Sequence, residues 1–464
     1  MLEQVFNRCS AILVGERKAM VSRILNRIVI IFVACVVVLA GSVVVASASG
    51  LLTPEPTATI DPEAYVLPLP EPVSPPLVLP RASTAPVPDG ASVGQSIAAL
   101  NHTGIGVIAY SITDLSGNVL AEQDAQSARV PASSWKVLTT LAALSSLDRN
   151  HRFATTIVES ADGIVLVGGG DPMLVTSRTY LNGQATLLSL AEQTAQALAK
   201  AGRTQVVLGY DDSLFAGPAW NPDWPADFVG NIAPVTALAA DASGGPETDV
   251  SNKTATNFST LLAARGITVT TVRAERAESA AAELARVESL PLGEMVRWII
   301  AYSDNYGTEV LLRHVSLAAG WDGSVASSQA AMTSFLQTHG LWTSQMLVSD
   351  GSGMSLKNRG TPSALAAAVR MAYGNSAYLD ILDGLPVAAV DGTLTIRFND
   401  PEEAGGRGVV HAKTGTHDYV RTLTGFVQST TGAVLVFSFM LNDVTNGEVA
   451  IDWIDEAAAI LANA

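Results

Sequence analysis

Cysteine is almost missing from this chain. Its two cysteines, Cys9 and Cys35, both lie within the first forty residues, so neither a disulfide framework nor a cysteine-ligated zinc site can organise the remainder. The six histidines (His102, His151, His314, His339, His411 and His417) show no HExxH or comparable ligand spacing, and no metal or cofactor is expected. Basic residues are also scarce, with 27 Lys and Arg against 43 Asp and Glu for a net charge of -16. A phosphate backbone needs a Lys/Arg-rich face to displace its counterions, which excludes nucleic acid as a partner. Charged residues make up only 15% and hydrophobic residues 48% of the 464 positions. That is ample material for a large core, and the length suggests two or three compact units.

The apolar residues are not evenly spread. Ile28 to Ala48 carries no charge and is long enough, at about 1.5 Å per residue, to cross a hydrocarbon layer of about 30 Å. Residues 1–27 before it hold Arg8, Arg17, Lys18, Arg23 and Arg27, a basic flank expected to stay cytoplasmic. The expectation is a single-pass anchor over 28–48 that sends the rest of the chain outward. The competing reading is a secretory signal cleaved after Ala46-Ser47-Ala48, against which the long basic region and long apolar run both weigh. Residues 53–90 contain half of the 22 prolines and read as an extended spacer, with a proline-rich ligand for a partner domain as the lesser alternative.

Globular texture begins near Ala91. Gly104 to Ser111 and Val119 to Glu122 read as strands around a turn at Asp114 to Gly117, and a helix is predicted from near Ser133. Helices follow at Thr186 to Ala201, Asn257 to Arg265 and Leu292 to Val315. Strands return at Leu423 to Gln428 and Val434 to Leu441, closed by a helix from Val449 to Leu461.

Three short motifs carry the chemistry. In Ser133-Ser134-Trp135-Lys136, one helical turn brings the Lys136 amine beside the Ser133 hydroxyl, where a lysine neutralised by burial can act as base without a histidine. Alone, this is equally an N-cap serine and a surface lysine. Ser303-Asp304-Asn305 offers a relay hydroxyl and an orienting amide on one face of an extended loop, although such a triplet is usually a helix cap. Lys413-Thr414-Gly415, followed by Thr416, sits in strand-like surroundings. Lys413 supplies charge, Thr414 a hydroxyl for a carboxylate, and Gly415 room for an extended substrate along the strand; otherwise it is a strand-end turn. Two of only six lysines falling in these motifs, in this order, is far from chance.

Ser-x-x-Lys, Ser-Asp-Asn and Lys-Thr-Gly together resemble the signature of class A β-lactamases and penicillin-binding proteins. The first gap chooses between them. Ser133 to Ser303 spans 170 residues, against about 60 in a class A β-lactamase. The chain is instead similar to low-molecular-mass penicillin-binding proteins of the D-alanyl-D-alanine carboxypeptidase and endopeptidase family, which carry extra domains between those motifs. Gly168 to Leu174 (GGGDPML), Asp211 to Phe215, Ala233 to Leu238, Asp350 to Ser355 (DGSGMS), Leu385 to Ala388 and Asp391 to Leu394 extend the resemblance from about Gly90 to the C-terminus. Ser134-Trp135, Gly307-Thr308-Glu309 and His411 depart from the family's usual residues, and the insert is short for it.

The resemblance implies an α/β (α+β) architecture: an αβα transpeptidase/β-lactamase-like domain with an antiparallel sheet (91–150 and 291–464), a smaller inserted α/β domain (151–290), and the N-terminal membrane helix. It implies that Ser133 attacks the D-Ala-D-Ala carbonyl of peptidoglycan peptides, with Lys136 as base and Ser303, Asn305 and Lys413 completing the catalytic set. Thr414, Gly415 and Thr416 would hold substrate, with the Ser133 and Thr416 amides as oxyanion hole, and β-lactams would acylate Ser133. His411 and His417 are not expected to act as base. A β-lactamase-like hydrolase, a β-lactam sensor and a non-catalytic wall-binding scaffold are the alternatives. A sensor would need a signalling domain for which 27 residues leave no room, and a scaffold would tolerate loss of a motif.

Overall fold

The structure is a computed structural model that describes residues 85–242 and 248–464. The expected tail (1–27), membrane segment (28–48) and all but the end of the spacer (53–90) lie outside the described residues. Among those described, no helix is long and apolar enough to cross a membrane.

Two five-stranded sheets organise this part of the chain. The first takes its strands from both ends of the sequence: β1 (Val107–Asp114) and β2 (Val119–Gln123) come early, and β8 (Val410–His417), β9 (Val420–Gln428) and β10 (Val434–Asn442) come late. Their order is β2-β1-β10-β9-β8, antiparallel throughout. β1 starts three residues later than its apolar pattern suggests. The cause is Gly106, whose φ is 74° and whose Cβ, if present, would lie 2.1 Å from the Asn442 carbonyl oxygen, so the chain must turn there before it can pair.

β10 is buried along its whole length because both faces of the sheet are covered. Leu435, Phe437, Phe439 and Leu441 pack against α1 (Gly90–Ala98) and the C-terminal helix α10 (Gly447–Asn463), through Ile97, Trp453 and Leu461. Val434, Val436 and Met440 face the other layer, as the two-residue period of a strand requires. That layer holds α2 (Lys136–Ser146), α5 (Leu292–Tyr302), α6 (Asn305–Ala318), α7 (Val325–Thr338), α8 (Pro362–Gly374) and the short α9 (Leu379–Asp383).

The second sheet uses only residues between the first two motifs: β3 (Ala154–Glu159), β4 (Gly163–Val167), β5 (Gln205–Asp211), β6 (Thr268–Ala274) and β7 (Glu283–Glu288). Its order is β6-β5-β4-β3-β7, parallel across β4, β5 and β6. Helices α3 (Leu187–Lys200) and α4 (Val250–Ala263) cover it, burying Leu187, Leu190, Phe258 and Leu262 against Ile157, Ile164, Leu166 and Leu208. A smaller apolar cluster reaches from this segment to α6, joining Phe215, Trp224, Ile232 and Val235 to Tyr306 and Val310.

The predicted helix Leu292 to Val315 is two helices. Ser303 takes left-handed backbone angles (φ 58°, ψ 40°) that end α5, and Asp304 caps α6 by accepting from the Gly307 amide at 2.9 Å. The Ser-Asp-Asn triplet is therefore a tight inter-helix corner, not the extended loop expected of it.

Candidate active site

The reactive corner is built where the turn leading into α2 meets the edge strand β8. Ala132 to Trp135 form a single 3-10 turn, and the α-helix proper begins at Lys136, three residues later than predicted. Ala132 has φ 45°, a conformation costly for a residue with a Cβ. It turns the chain so that Ser133 stays partly exposed, while Ser134, Trp135 and Lys136 are buried. Ser134 donates to Thr422 Oγ1 at 2.7 Å, and Thr422 donates to the Pro131 carbonyl at 2.9 Å. Trp135 donates its indole N–H to the Asp350 carbonyl at 3.0 Å. The turn is thus tied to β9 on one side and to the 350s loop on the other.

Lys136 is the centre of the site. Its side chain is wholly buried, and Nζ lies 3.0 Å from Ser133 Oγ, 2.7 Å from Asn305 Oδ1 and 2.6 Å from the Ser352 carbonyl. Burial brings its pKa down to about 8, although the carboxylates of Asp350, Glu309 and Asp304 pull the other way. An ammonium has three N–H donors and uses all three here. A neutral amine has two, and neither the Asn305 carbonyl oxygen nor the Ser352 carbonyl can donate. The lone pair created by deprotonation must therefore face Ser133, the one partner with a proton to give.

That geometry is held by residues the motifs do not contain. Glu309 Oε1 accepts from the amides of Gly351 (2.9 Å) and Ser352 (2.6 Å), which aims the Ser352 carbonyl at Lys136. Asp350, fully buried, accepts from the Gly353 and Ser355 amides, Asn358 Nδ2 and the Trp224 indole. Burial, helped by the Asp350 charge, pushes the Glu309 carboxyl up to about 7 against those amide donors. The family resemblance marks both the Asp350 to Ser355 and the Gly307 to Glu309 segments, but it gives no role to Asp350, Glu309 or the Ser352 carbonyl.

The second and third motifs close on the same point. Asn305 accepts from Lys136 through Oδ1 and donates through Nδ2 to the Asn231 carbonyl at 3.3 Å. Ser303, partly exposed at its corner, makes no side-chain hydrogen bond among the described residues. Burial raises the Asp304 pKa, opposed by the Gly307 amide and the Lys136 charge. On β8, Lys413 is fully buried and donates to the Thr414 carbonyl at 2.8 Å. Burial, and then the nearby Lys136 charge, hold it well below the usual lysine range. Thr414 donates to Thr393 Oγ1 at 2.9 Å, and Thr416 is exposed.

Gly415 has a different reason from the one its sequence suggests. A Cβ there would lie 2.1 Å from Thr422 Oγ1, 2.9 Å from the Pro131 carbonyl oxygen and 3.1 Å from the Ser133 nitrogen. The space is taken by the protein's own nucleophile turn, so the glycine brings β8 against that turn and does not clear a path for substrate. His411 stacks on Phe426 at 4.8 Å, and His417 lies 6.0 Å from Phe228 while accepting from the Asp418 amide. Among the described residues, neither ring hydrogen-bonds to Ser133 or Lys136.

The sequence profile of the D-Ala-D-Ala carboxypeptidase 3 (S13) family matches residues 91–254 and 246–464. The chain belongs to that family. It is 34% identical over 396 residues to a carboxypeptidase of Mycobacterium tuberculosis, covering 81% of this chain and 85% of that one. With carboxypeptidase DacB of Mycolicibacterium smegmatis it shares 33% over 439 residues, 90% of this chain and 94% of the relative. Penicillin binding protein 4 of Haemophilus influenzae, also solved in complex with a β-lactam, superposes with a TM-score of 0.68 at 18% identity, covering 82% of this chain and all of that one. That likeness is one of fold. As an S13 family member the chain is a serine-type D-Ala-D-Ala carboxypeptidase of the penicillin-binding class.

Ser134 separates the two serines of the turn. Removing its hydroxyl deletes the bond to Thr422 and a longer one, 3.4 Å, to the Lys413 carbonyl, and Thr422 keeps its bond to Pro131. Ser134→Ala is expected to cost about 1 kcal/mol of stability and to leave labelling by a fluorescent penicillin intact. Abolished labelling in a folded Ser134→Ala protein would reverse the assignment of the two serines.

Proposed function

We propose that this enzyme removes the terminal D-alanine from peptidoglycan stem peptides, with Ser133 as nucleophile and Lys136 as general base. The observation that carries the reading is the set of partners around Lys136 Nζ, two of which can only accept. The neutral amine takes the Ser133 proton as Oγ attacks the carbonyl carbon of the D-Ala-D-Ala bond. The tetrahedral oxyanion is received by the Ser133 and Thr416 amides, where one such donor is worth about 10²- to 10³-fold in rate. As the C–N bond breaks, the proton passes from Lys136 through Ser303 to the leaving amine. Water then attacks the acyl-enzyme, with Lys136 again accepting a proton and returning it to Ser133.

Lys413 is buried without a carboxylate partner among the described residues. The terminal carboxylate of the substrate supplies one, with Thr416 adding a hydroxyl and Thr414 a second once its proton turns away from Thr393. The same carboxylate is present in β-lactams, which acylate Ser133 and leave slowly. Residues 91–150 and 291–464 act as the catalytic domain and 151–290 as its inserted domain, consistent with the two separate sheets.

The pH dependence has a definite sign. Lys136 is protonated and inactive as a base below about 8 and neutral above it, so the acylation rate should climb with pH and level off above that value. Ser133→Ala should abolish the penicillin adduct, and Lys136→Ala should slow its formation by about 10²- to 10⁴-fold. An adduct mapped by peptide mass spectrometry to any other residue would overturn the mechanism.

The catalytic part is proposed to lie outside the cell membrane, tethered by residues 28–48; the uncharged run and its basic flank support this. Fractionation tests it: full-length protein should sit in the membrane fraction. Wholly secreted protein with a new N-terminus at Ser49 would show cleavage instead.

A further inference from the structure

A polar cavity of about 240 Å³ lies on the same face of the first sheet as Lys413 but toward the opposite edge, between the β1–β2 hairpin, α8 and the turn at 340–343. β1 is three strands away from β8, which at about 4.8 Å per strand separates this cavity from the Lys413 strand by about 14 Å. It shares no lining residue with the three motifs.

Its most unusual feature is Arg370. Acidic groups outnumber basic ones 43 to 27 in this chain, and most described arginines are ion-paired or bonded to carbonyls. Arg370, half-buried on α8, has neither kind of partner among the described residues. It is also confined: Gly117, in the hairpin turn at φ 90°, lies so close that a Cβ there would be 3.2 Å from the guanidinium carbon. A partly desolvated guanidinium without a counter-charge is costly, and its planar fork is shaped for a carboxylate.

Two further side chains of the lining, Thr113 and Thr343, have their Oγ1 atoms buried in the wall with no hydrogen-bond partner among the described residues. Glu122, paired across the hairpin with Ser111, lines the cavity without forming an ion pair with Arg370. The site thus presents the half-buried cation of Arg370 and the exposed anion of Glu122, with Ala367 and the partly buried Trp342 as its apolar part. Its volume is below the range usual for drug-sized ligands.

We propose that this cavity binds a small zwitterionic amino acid, its carboxylate on Arg370 and its ammonium on Glu122. The proposal does not depend on the assignment of Ser133 or on the reaction it performs.

Isothermal titration of the full chain in detergent micelles with alanine of either hand tests it, with N-acetylalanine as the probe that lacks the ammonium. Alanine should bind with Kd on the order of 1 mM. Arg370→Gln should weaken it at least about tenfold, as expected for loss of a bidentate pair. Ala367→Leu, which fills the cavity without touching a charge, should do the same and keeps the test valid should Arg370→Gln fail to fold. N-acetylalanine should bind about tenfold more weakly than alanine. No heat of binding up to about 20 mM, equal binding by the folded variants, or equal affinity for the two probes would overturn the proposal.

Discussion

A lysine side chain with no exposure to solvent is the constraint on which the rest of this site depends. Transferring an ammonium from water into a protein interior is expensive unless its donors are met, and Lys136 is met by three acceptors within 3.0 Å. Two of them are fixed and aprotic, so losing a proton changes only the bond to Ser133. The fall in pKa and the direction of the lone pair thus come from the same arrangement: burial sets how readily the amine deprotonates, and the carbonyls of Asn305 and Ser352 decide where the lone pair points.

The long segment between the first two motifs takes part in holding this arrangement. Trp224 donates to Asp350 Oδ2 at 2.9 Å, Asn221 donates to the Ser349 carbonyl at 2.8 Å, and Asp223 pairs with Lys357. The loop that presents the Ser352 carbonyl is therefore braced from both sides, by Glu309 on α6 and by residues 221–224. The Asn231 carbonyl extends the same support to Asn305. The cost of such an arrangement is a set of buried carboxylates close together, and the raised pKa of Glu309 reflects it.

Much of this was legible in the sequence because the relevant forces are local. The unbroken apolar run at Val434 to Leu441, interrupted only by Ser438, follows from burial on both faces, the apolar periodicity of the C-terminal helix from burial on one, and the Ser133 to Lys136 offset from helical pitch. What was not legible depends on contacts distant in sequence. Gly415 looks like a substrate-facing glycine until Pro131, Ser133 and Thr422 are found in its space. Ser303 to Asn305 looks extended until the left-handed angles at Ser303 fold it into a corner. Glu309 meets its partners 42 and 43 residues further along, a separation no local pattern encodes. The late start of α2 has the same origin, since the Ala132 strain is sustained by β8, β9 and the 350s loop together.

The most direct test of this account is the protonation of Lys136 itself. The chain has six lysines, so lysine side-chain NMR on the full chain in detergent micelles can follow each resonance against pH, with Lys136→Ala identifying the one of interest. The account predicts a resonance, absent from that variant, titrating with a midpoint near 8. A Lys136 midpoint at the ordinary lysine value of about 10.4 would contradict it, because an amine that stays charged through the neutral range could not accept the Ser133 proton.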